Sequence, residues 1–399
     1  MQNTSSNRSF SIPALFGFFV VLSALLWWVY SHAAYYYDFV GHMIFVNTIA
    51  EEGLGSVPHF IYHILILGFA EIFTDIDWYT IAGHLIIGAN IITGVTIYLL
   101  LTSWFKDYVS QVFIGILSIC LMVITPIILW TEYWPAMIGY IHPTVYHNPT
   151  QNILKVFVIP ISLIALRGIN PQPYKNQQER IGLIVLSIVL IVLMSFSKPN
   201  YTIILLPSLG LYGLYRLINK QALDWGLLIF GIGLPAVGVL GYQFLGTYTS
   251  EESNITVGFL KVISAYISLP RILLQFLLSI AFPLVVYVLH RETARKDTYL
   301  NFAWIGFLIG SFYLYFLYET GIREQHGNFF WSAYVGLFIL MFATVAFLLK
   351  EYRPFIEELR HNKNIQLPSN LRWILLVFVL HIASAFRYYM MFITNLEPR

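Results

Sequence analysis

Pro58-His59-Phe60-Ile61-Tyr62-His63-Ile64-Leu65-Ile66-Leu67-Gly68-Phe69-Ala70-Glu71-Ile72-Phe73 is the run on which the topology turns. It is apolar enough to be taken for a membrane span. As a helix it reaches only about 24 Å, short of a hydrocarbon core of roughly 30 Å. Ahead of it lies Tyr35-Tyr36-Tyr37-Asp38-Phe39-Val40-Gly41-His42, which continues to Glu51-Glu52-Gly53. Asp38, His42, His59 and His63 gather here in a chain with only 11 % charged residues. The rest of the chain reads largely as apolar scaffold.

With 58 % hydrophobic residues and a mean hydropathy of +0.71, the expected class is all-α, a polytopic integral membrane protein. Backbone polar groups in lipid must pair internally, so repeated apolar runs of about 20 residues mean helices. The runs are continuous rather than alternating, which argues against a β-barrel. Spans are predicted at approximately 13–33, 78–102, 109–130, 152–168, 181–197, 201–217, 225–246, 271–289, 299–318, 331–349 and 372–392, about 11 in all. Two short surface helices in the loop 34–77 complete the expected architecture, one transmembrane domain over residues 1–399. The lone Cys120 excludes an internal disulfide framework. The first span lacks a small-residue cleavage site and reads as retained.

Lys and Arg set the orientation. With a cytoplasmic N-terminus and 58–73 not crossing, the inner segments hold all of the 22 Lys and Arg except Lys155, Lys198, Lys261, Arg271, Arg323, Arg387 and Arg399. If 58–73 crossed, that bias would reverse. The outer segments are then 34–77, 131–151, 198–200, 247–270, 319–330 and 393–399. Of 11 histidines, His32, His42, His59, His63, His142, His147 and His326 lie in or beside them. The inner loop 350–372 has the pattern of an amphipathic surface helix.

In the first outer loop, Asp38 opens a short helix that Gly53 stops, with His42 one turn on. Pro58 suits the first turn of a second helix, which places His59 and His63 at i and i+4. That spacing is half of a metal site for Zn²⁺ or Mn²⁺, and any cofactor is expected to be a divalent cation, Mg²⁺ or Mn²⁺. Asp38 also suits helix capping, and interfacial histidines also suit anchoring.

Further on, Thr131-Glu132-Tyr133-Trp134 leads to His147-Asn148-Pro149-Thr150 and then to Lys155. Such aromatics serve as a membrane belt or as faces that stack on sugar rings. Lys198, in Ser197-Lys198-Pro199-Asn200, defies the charge bias and suits a specific anion as well as a lipid headgroup. The loop from Glu319 to Asn328 carries Arg323 and His326.

An aspartate shortly after the first span, two surface helices and a Pro58-His59 start to the second resemble the GT-C superfamily of polytopic glycosyltransferases. The likeness covers the module within residues 1–200, leaving 201–399 as a variable helical half. Asp38 is followed by Phe39 rather than a second acid, and no double proline follows His59. The resemblance implies a polyprenyl-phosphate-linked sugar donor and a glycan, lipid or protein acceptor. It also implies an acidic first-loop residue that activates the acceptor or holds a metal. No phosphate-cradling glycine loop or basic nucleic-acid patch is present. A lipid-delivered donor, no nucleic-acid partner and no certain cofactor are therefore expected.

The functional expectation is sugar transfer at the outer face of a bacterial inner or plasma membrane, with Asp38 as general base. Lys198 and Arg323 would stabilise the leaving phosphate. His42, His59, His63, Glu132, His147, Asn148, Lys155 and His326 would complete the substrate site. Two alternatives stand beside it. One is a polysaccharide polymerase or O-antigen ligase-like enzyme. The other is a lipid-linked-saccharide transporter or flippase using Glu71, Asp75, Asp77 or His84.

Overall fold

The computed structural model describes residues 9–36, 38–130, 138–248, 253–324, 326–362 and 365–394. Helix α1 (Ile12–Ala33) leads to α2 (Asp38–Glu52) and α3 (Ile61–Ile72), followed by α4 (Trp78–Phe105) and α5 (Gln111–Val123). Next come α6 (Pro149–Ile169), α7 (Gln177–Ser197), α8 (Asn200–Ile218) and α9 (Leu234–Tyr248), the last continuing a π-wound stretch, Gly226–Gly233. Then follow α10 (Leu269–Ser279), α11 (Ala281–Leu289), α12 (Arg291–Ala294) and α13 (Thr298–Phe316). The last three are α14 (Phe330–Glu351), α15 (Arg353–His361) and α16 (Ser369–Thr394). A small antiparallel ribbon pairs β1 (Ile255–Val257) with β2 (Leu317–Glu319) beside the α13–α14 loop.

Among the described residues, 9 helices are long and apolar enough to cross a membrane, and the bent pair α10–α11 can make a tenth span. The protein is an all-α integral membrane protein. Helix α3, at about 18 Å, is too short to cross, as expected from sequence. The predicted surface helix at 350–372 is present as α15.

Two predicted spans differ from expectation, both because of proline. The run 109–130 is helical only to Val123, because Pro126 disfavours helical backbone at the residue before it. From Ile124 to Asn148 the described chain is almost entirely non-helical, and much of it is buried. In the run 271–289, Pro283 cannot donate to the carbonyl of Ser279, and the helix breaks with a 63° bend. The two irregular segments satisfy each other. Ile127 N–H donates to Leu278 O (3.2 Å) and Ile141 N–H to Ser279 Oγ (3.0 Å), while His381 of α16 bridges them, its Nε2 accepting from Phe282 N–H (3.3 Å) and its Nδ1 meeting Thr125 O (2.6 Å). Such internal pairing is what allows non-helical backbone at membrane depth.

Helix α14 is the central post, buried along nearly its whole length, as an all-round apolar sequence requires. It packs most extensively on α13. Gly310 makes that approach possible, because a Cβ there would lie 2.7 Å from Ser332 O. The close docking fixes the start of α14, which matters for the site below.

The path of the helices puts Leu54 and Asn176 at opposite ends of the bundle, both exposed. In a Cys120→Ser background, Leu54→Cys is expected to react with impermeant thiol reagents from outside only, and Asn176→Cys from inside only. Reversed labelling would show that the charge-based orientation is wrong.

Candidate functional site

The polar groups converge at the end of the bundle where α2, α6, α8 and α14 begin. Asn148 is the hub. As N-cap of α6 its Oδ1 accepts from Gln151 N–H at 2.9 Å, with Pro149 filling the first helical position. Its Nδ2 donates to Asp38 Oδ2 at 2.8 Å. The same Oδ1 also accepts from Lys198 Nζ (3.0 Å) and from the Thr150 hydroxyl (3.1 Å). A carboxylate on one side and donors on the other leave the amide only one sensible orientation.

Lys198 is buried, not extended toward a lipid headgroup. Its Nζ also donates to Thr150 Oγ1 at 3.1 Å and lies 4.5 Å from the centroid of the Trp331 ring. Burial pushes its pKa down to about 7, while the Asp38 carboxylate opposes that fall. His147 packs against the other partner of this wall, with its ring centroid 5.8 Å from that of Trp331. Burial lowers its pKa, Asp38 acts against the shift and Lys198 adds to it. Thr150 belongs to the polar turn 147–150 already conspicuous in the sequence, whereas Trp331 carries no sequence signal, because a tryptophan at a span end reads as belt.

Helix α2 starts at Asp38 and ends where Gly53 takes a positive φ of 89°, so Asp38 and His42 lie one turn apart as expected. Helix α3 starts later than expected. Pro58 holds Val57 extended, and the Pro58 carbonyl accepts from Gln243 Nε2 at 2.8 Å instead of starting a helix. His59 therefore precedes the helix. His63 Nε2 pairs with His42 Nδ1 at 2.9 Å, a contact in which one imidazole must donate and the other accept. Burial holds the pKa of His42 well below its usual range and that of His63 at about 4. His59 is pushed down to about 3 by burial and by the positive charges of Lys198 and Arg323.

A cavity of about 480 Å³ lies beside this cluster. Its polar wall carries His59, Lys198, Asn200, Glu319, Arg323 and Asn328, and its apolar wall includes Ile203, Val237, Leu240 and Phe244. Val237 and Phe244 are more than half exposed, so the apolar wall of this cavity is open along α9. The N-termini of α8 and α14 both open on this cavity, which adds helix-dipole preference for an anion. Glu319 is buried and fully engaged, accepting from Tyr248 OH (2.6 Å) and Asn328 Nδ2 (2.5 Å), with Arg323 Nη1 at 3.8 Å.

Other expected residues lie elsewhere. Lys155 is not at a span edge, because α6 begins at Pro149. It sits about 9 Å into the helix, buried with its Nζ 5.0 Å from the Phe338 ring centroid, and lines neither cavity described here. His326 lines a second cavity together with His147. Arg387 holds the backbone of the irregular segment, donating to Leu129 O (2.6 Å) and Trp130 O (2.9 Å). Asp77 caps α4, accepting from Thr80 N–H at 3.0 Å. Glu132 lies outside the described residues, as do Tyr133 and Trp134.

No group of three or more His, Cys, Asp or Glu that could hold a metal ion occurs among the described residues. The His42–His63 pair offers two imidazole nitrogens, a donor set unlike the oxygen shell that Mg²⁺ or Mn²⁺ prefers. No protein-family model matches the chain, and no curated protein matches it at a significant level.

Proposed function

We propose that the protein is a membrane glycosyltransferase that takes a sugar from a polyprenyl-phosphate-linked donor. One observation carries this reading. A single cavity joins a lipid-facing apolar wall to a wall bearing Lys198, Arg323 and two helix N-termini, with Asp38 held one amide away. An isoprenoid tail suits the first wall and its phosphate the second. The charge-bias orientation would put this chamber on the outer face.

In the reaction, an acceptor hydroxyl attacks the anomeric carbon. The bond from that carbon to the phosphate oxygen breaks, and its electron pair stays on the lipid phosphate. The hydroxyl proton passes to Asp38. Lys198 and Arg323 neutralise the charge that grows on the leaving oxygen, the kind of contact that is worth most in a site shielded from water. Asn148 ties base and cation together, so the carboxylate and the ammonium keep fixed positions without collapsing into a direct ion pair.

The test is donor-dependent sugar transfer by the purified protein in lipid nanodiscs, across a panel of polyprenyl-phosphate sugars and acceptors. Transfer is expected to survive chelation of divalent ions, because two protein cations face the phosphate. Loss on chelation with recovery on adding Mn²⁺ would make a metal part of the mechanism. Absence of transfer from every donor, with the lipid phosphate also failing to bind, would remove the reading.

Donor affinity should also depend on pH. Free Lys198 titrates near 7, and a bound phosphate favours its charged form, so binding takes up a proton above that pH. The half-saturating donor concentration should then rise by up to about tenfold per pH unit above 7. It should be nearly flat below it until the phosphate itself protonates. His59 and His63 are neutral across this range and add no second limb. A flat profile from pH 7 to 9 would detach Lys198 from the donor.

A further inference from the structure

The loop entering α14 divides two chambers. Asn328 and Phe329 face the cavity already described, while His326, Gly327, Phe330 and Trp331 face a second one of about 260 Å³. That second chamber differs in chemistry. Its lining includes His142, His147, Tyr266, Tyr334 and Tyr388, and it contains no Lys, Arg, Asp or Glu among the described residues. The rings are set at varied angles, as in a cage. His142 stacks on Tyr388 with centroids 5.1 Å apart, and Trp331 meets Tyr334 edge-on at 5.4 Å.

We propose that this second chamber is a binding site for a neutral pyranose, the sugar that accepts transfer. The size suits a single hexose-sized ring with its substituents. Aromatic faces bury the apolar C–H surface of a sugar ring, and phenol and imidazole edges pair with its hydroxyls. An anionic sugar would be desolvated here with no Lys or Arg among the described lining residues. The placement also suits transfer. Trp331 forms the partition, with Lys198 over its ring and lining the first chamber, and His147 against it and lining the second. Asp38 is joined to Lys198 through the Asn148 amide. A sugar in the second chamber therefore lies across a single side chain from the lipid phosphate. This inference rests on the transferase reading for the word acceptor, but the binding it asserts can be measured without turnover.

The experiment titrates full-length protein in nanodiscs with methyl glucopyranoside, galactopyranoside, mannopyranoside and N-acetylglucosaminide, read by saturation-transfer NMR. Methyl glucuronide is the charged control, and polyprenyl phosphate binding is measured in parallel. At least one neutral glycoside is expected to bind saturably, and the glucuronide is not. Tyr266 and His326 are exposed at the chamber's rim, so Tyr266→Ala and His326→Ala should fold normally. Tyr266→Ala should weaken the sugar by about tenfold, the loss of one stacked ring, and leave polyprenyl phosphate binding unchanged. Glucuronide binding as tight as the neutral sugars, no saturable sugar binding, or binding untouched by both substitutions overturns the proposal. Sugar binding without polyprenyl phosphate binding upholds this chamber and removes the lipid-donor reading instead.

Discussion

Asp38→Asn is expected to abolish measurable sugar transfer while leaving the protein folded and inserted. The substitution is nearly isosteric, and an asparagine Oδ1 can still accept the hydrogen bond that Asn148 Nδ2 now gives Asp38 Oδ2. What it cannot do is take a proton. General-base catalysis contributes about 10²–10⁴ in rate, and the change also strips Lys198 of the negative charge that supports its protonation. Both effects act in the same direction. The loss should therefore be at least about hundredfold in turnover, with a thermal unfolding midpoint close to the parent's. Turnover near the parent rate would take Asp38 out of the mechanism and leave it a structural partner of Asn148.

The second large effect is expected at Lys198. Losing a charge-stabilising contact made in the transition state typically costs on the order of 2.7–4 kcal/mol, so Lys198→Gln should lower turnover by roughly a hundredfold or more. A headgroup anchor behaves differently, because an exposed ion pair contributes about 0–1 kcal/mol. Lys198→Arg separates the two further. The ammonium is held by Asn148, Thr150 and the Trp331 ring, contacts that a longer planar guanidinium does not reproduce. Arginine should therefore fail to rescue, whereas an anchoring role would accept it. Thermal stability of Lys198→Gln should be unchanged or slightly raised, because a buried cation carries a desolvation cost that glutamine lacks. Near-normal transfer by purified Lys198→Gln would leave the phosphate site unassigned.

The class of fold was legible because hydrocarbon enforces it. Long apolar runs have few structural solutions, and the shortness of the run 58–73 together with the Lys/Arg bias marks it as non-crossing. The two misread spans show what hydropathy does not register. Pro126 and Pro283 sit in apolar sequence, and their cost falls on the backbone rather than on transfer to lipid. Residues 124–130 read as the end of a span because they are apolar, and 131–151 as an outer segment because it is rich in aromatic and polar residues. Burial along this stretch depends on partners far along the chain, among them Ser384, whose hydroxyl accepts from Ile128 N–H at 3.0 Å.

Within the site, the same distinction applies. Asp38 and Lys198 stood out because a charge is conspicuous in a greasy chain, and Lys198 also because it broke the positive-inside pattern. The structure places them on opposite ends of one asparagine side chain, a relation that spans α2, α6 and the α7–α8 turn and that no local pattern encodes. Lys155 shows the reverse error. Hydropathy starts α6 three residues late and so sets this lysine at a membrane edge, whereas it faces Phe338 inside the bundle. Spacing puts His59 and His63 on one helix face, yet the helix begins only at Ile61, past His59. His63 pairs with His42, and His59 lines the cavity.

The central claim is that the chamber beside Asp38 holds a lipid phosphate. The most direct measurement is an experimental structure of the protein in nanodiscs with polyprenyl phosphate bound. The account predicts phosphate density within hydrogen-bonding distance of Lys198 Nζ and facing Arg323. The isoprenoid tail should run along Val237, Leu240 and Phe244 toward the lipid. Phosphate density at the opposite end of the bundle, or a chamber that stays free of lipid at saturating polyprenyl phosphate, would contradict it.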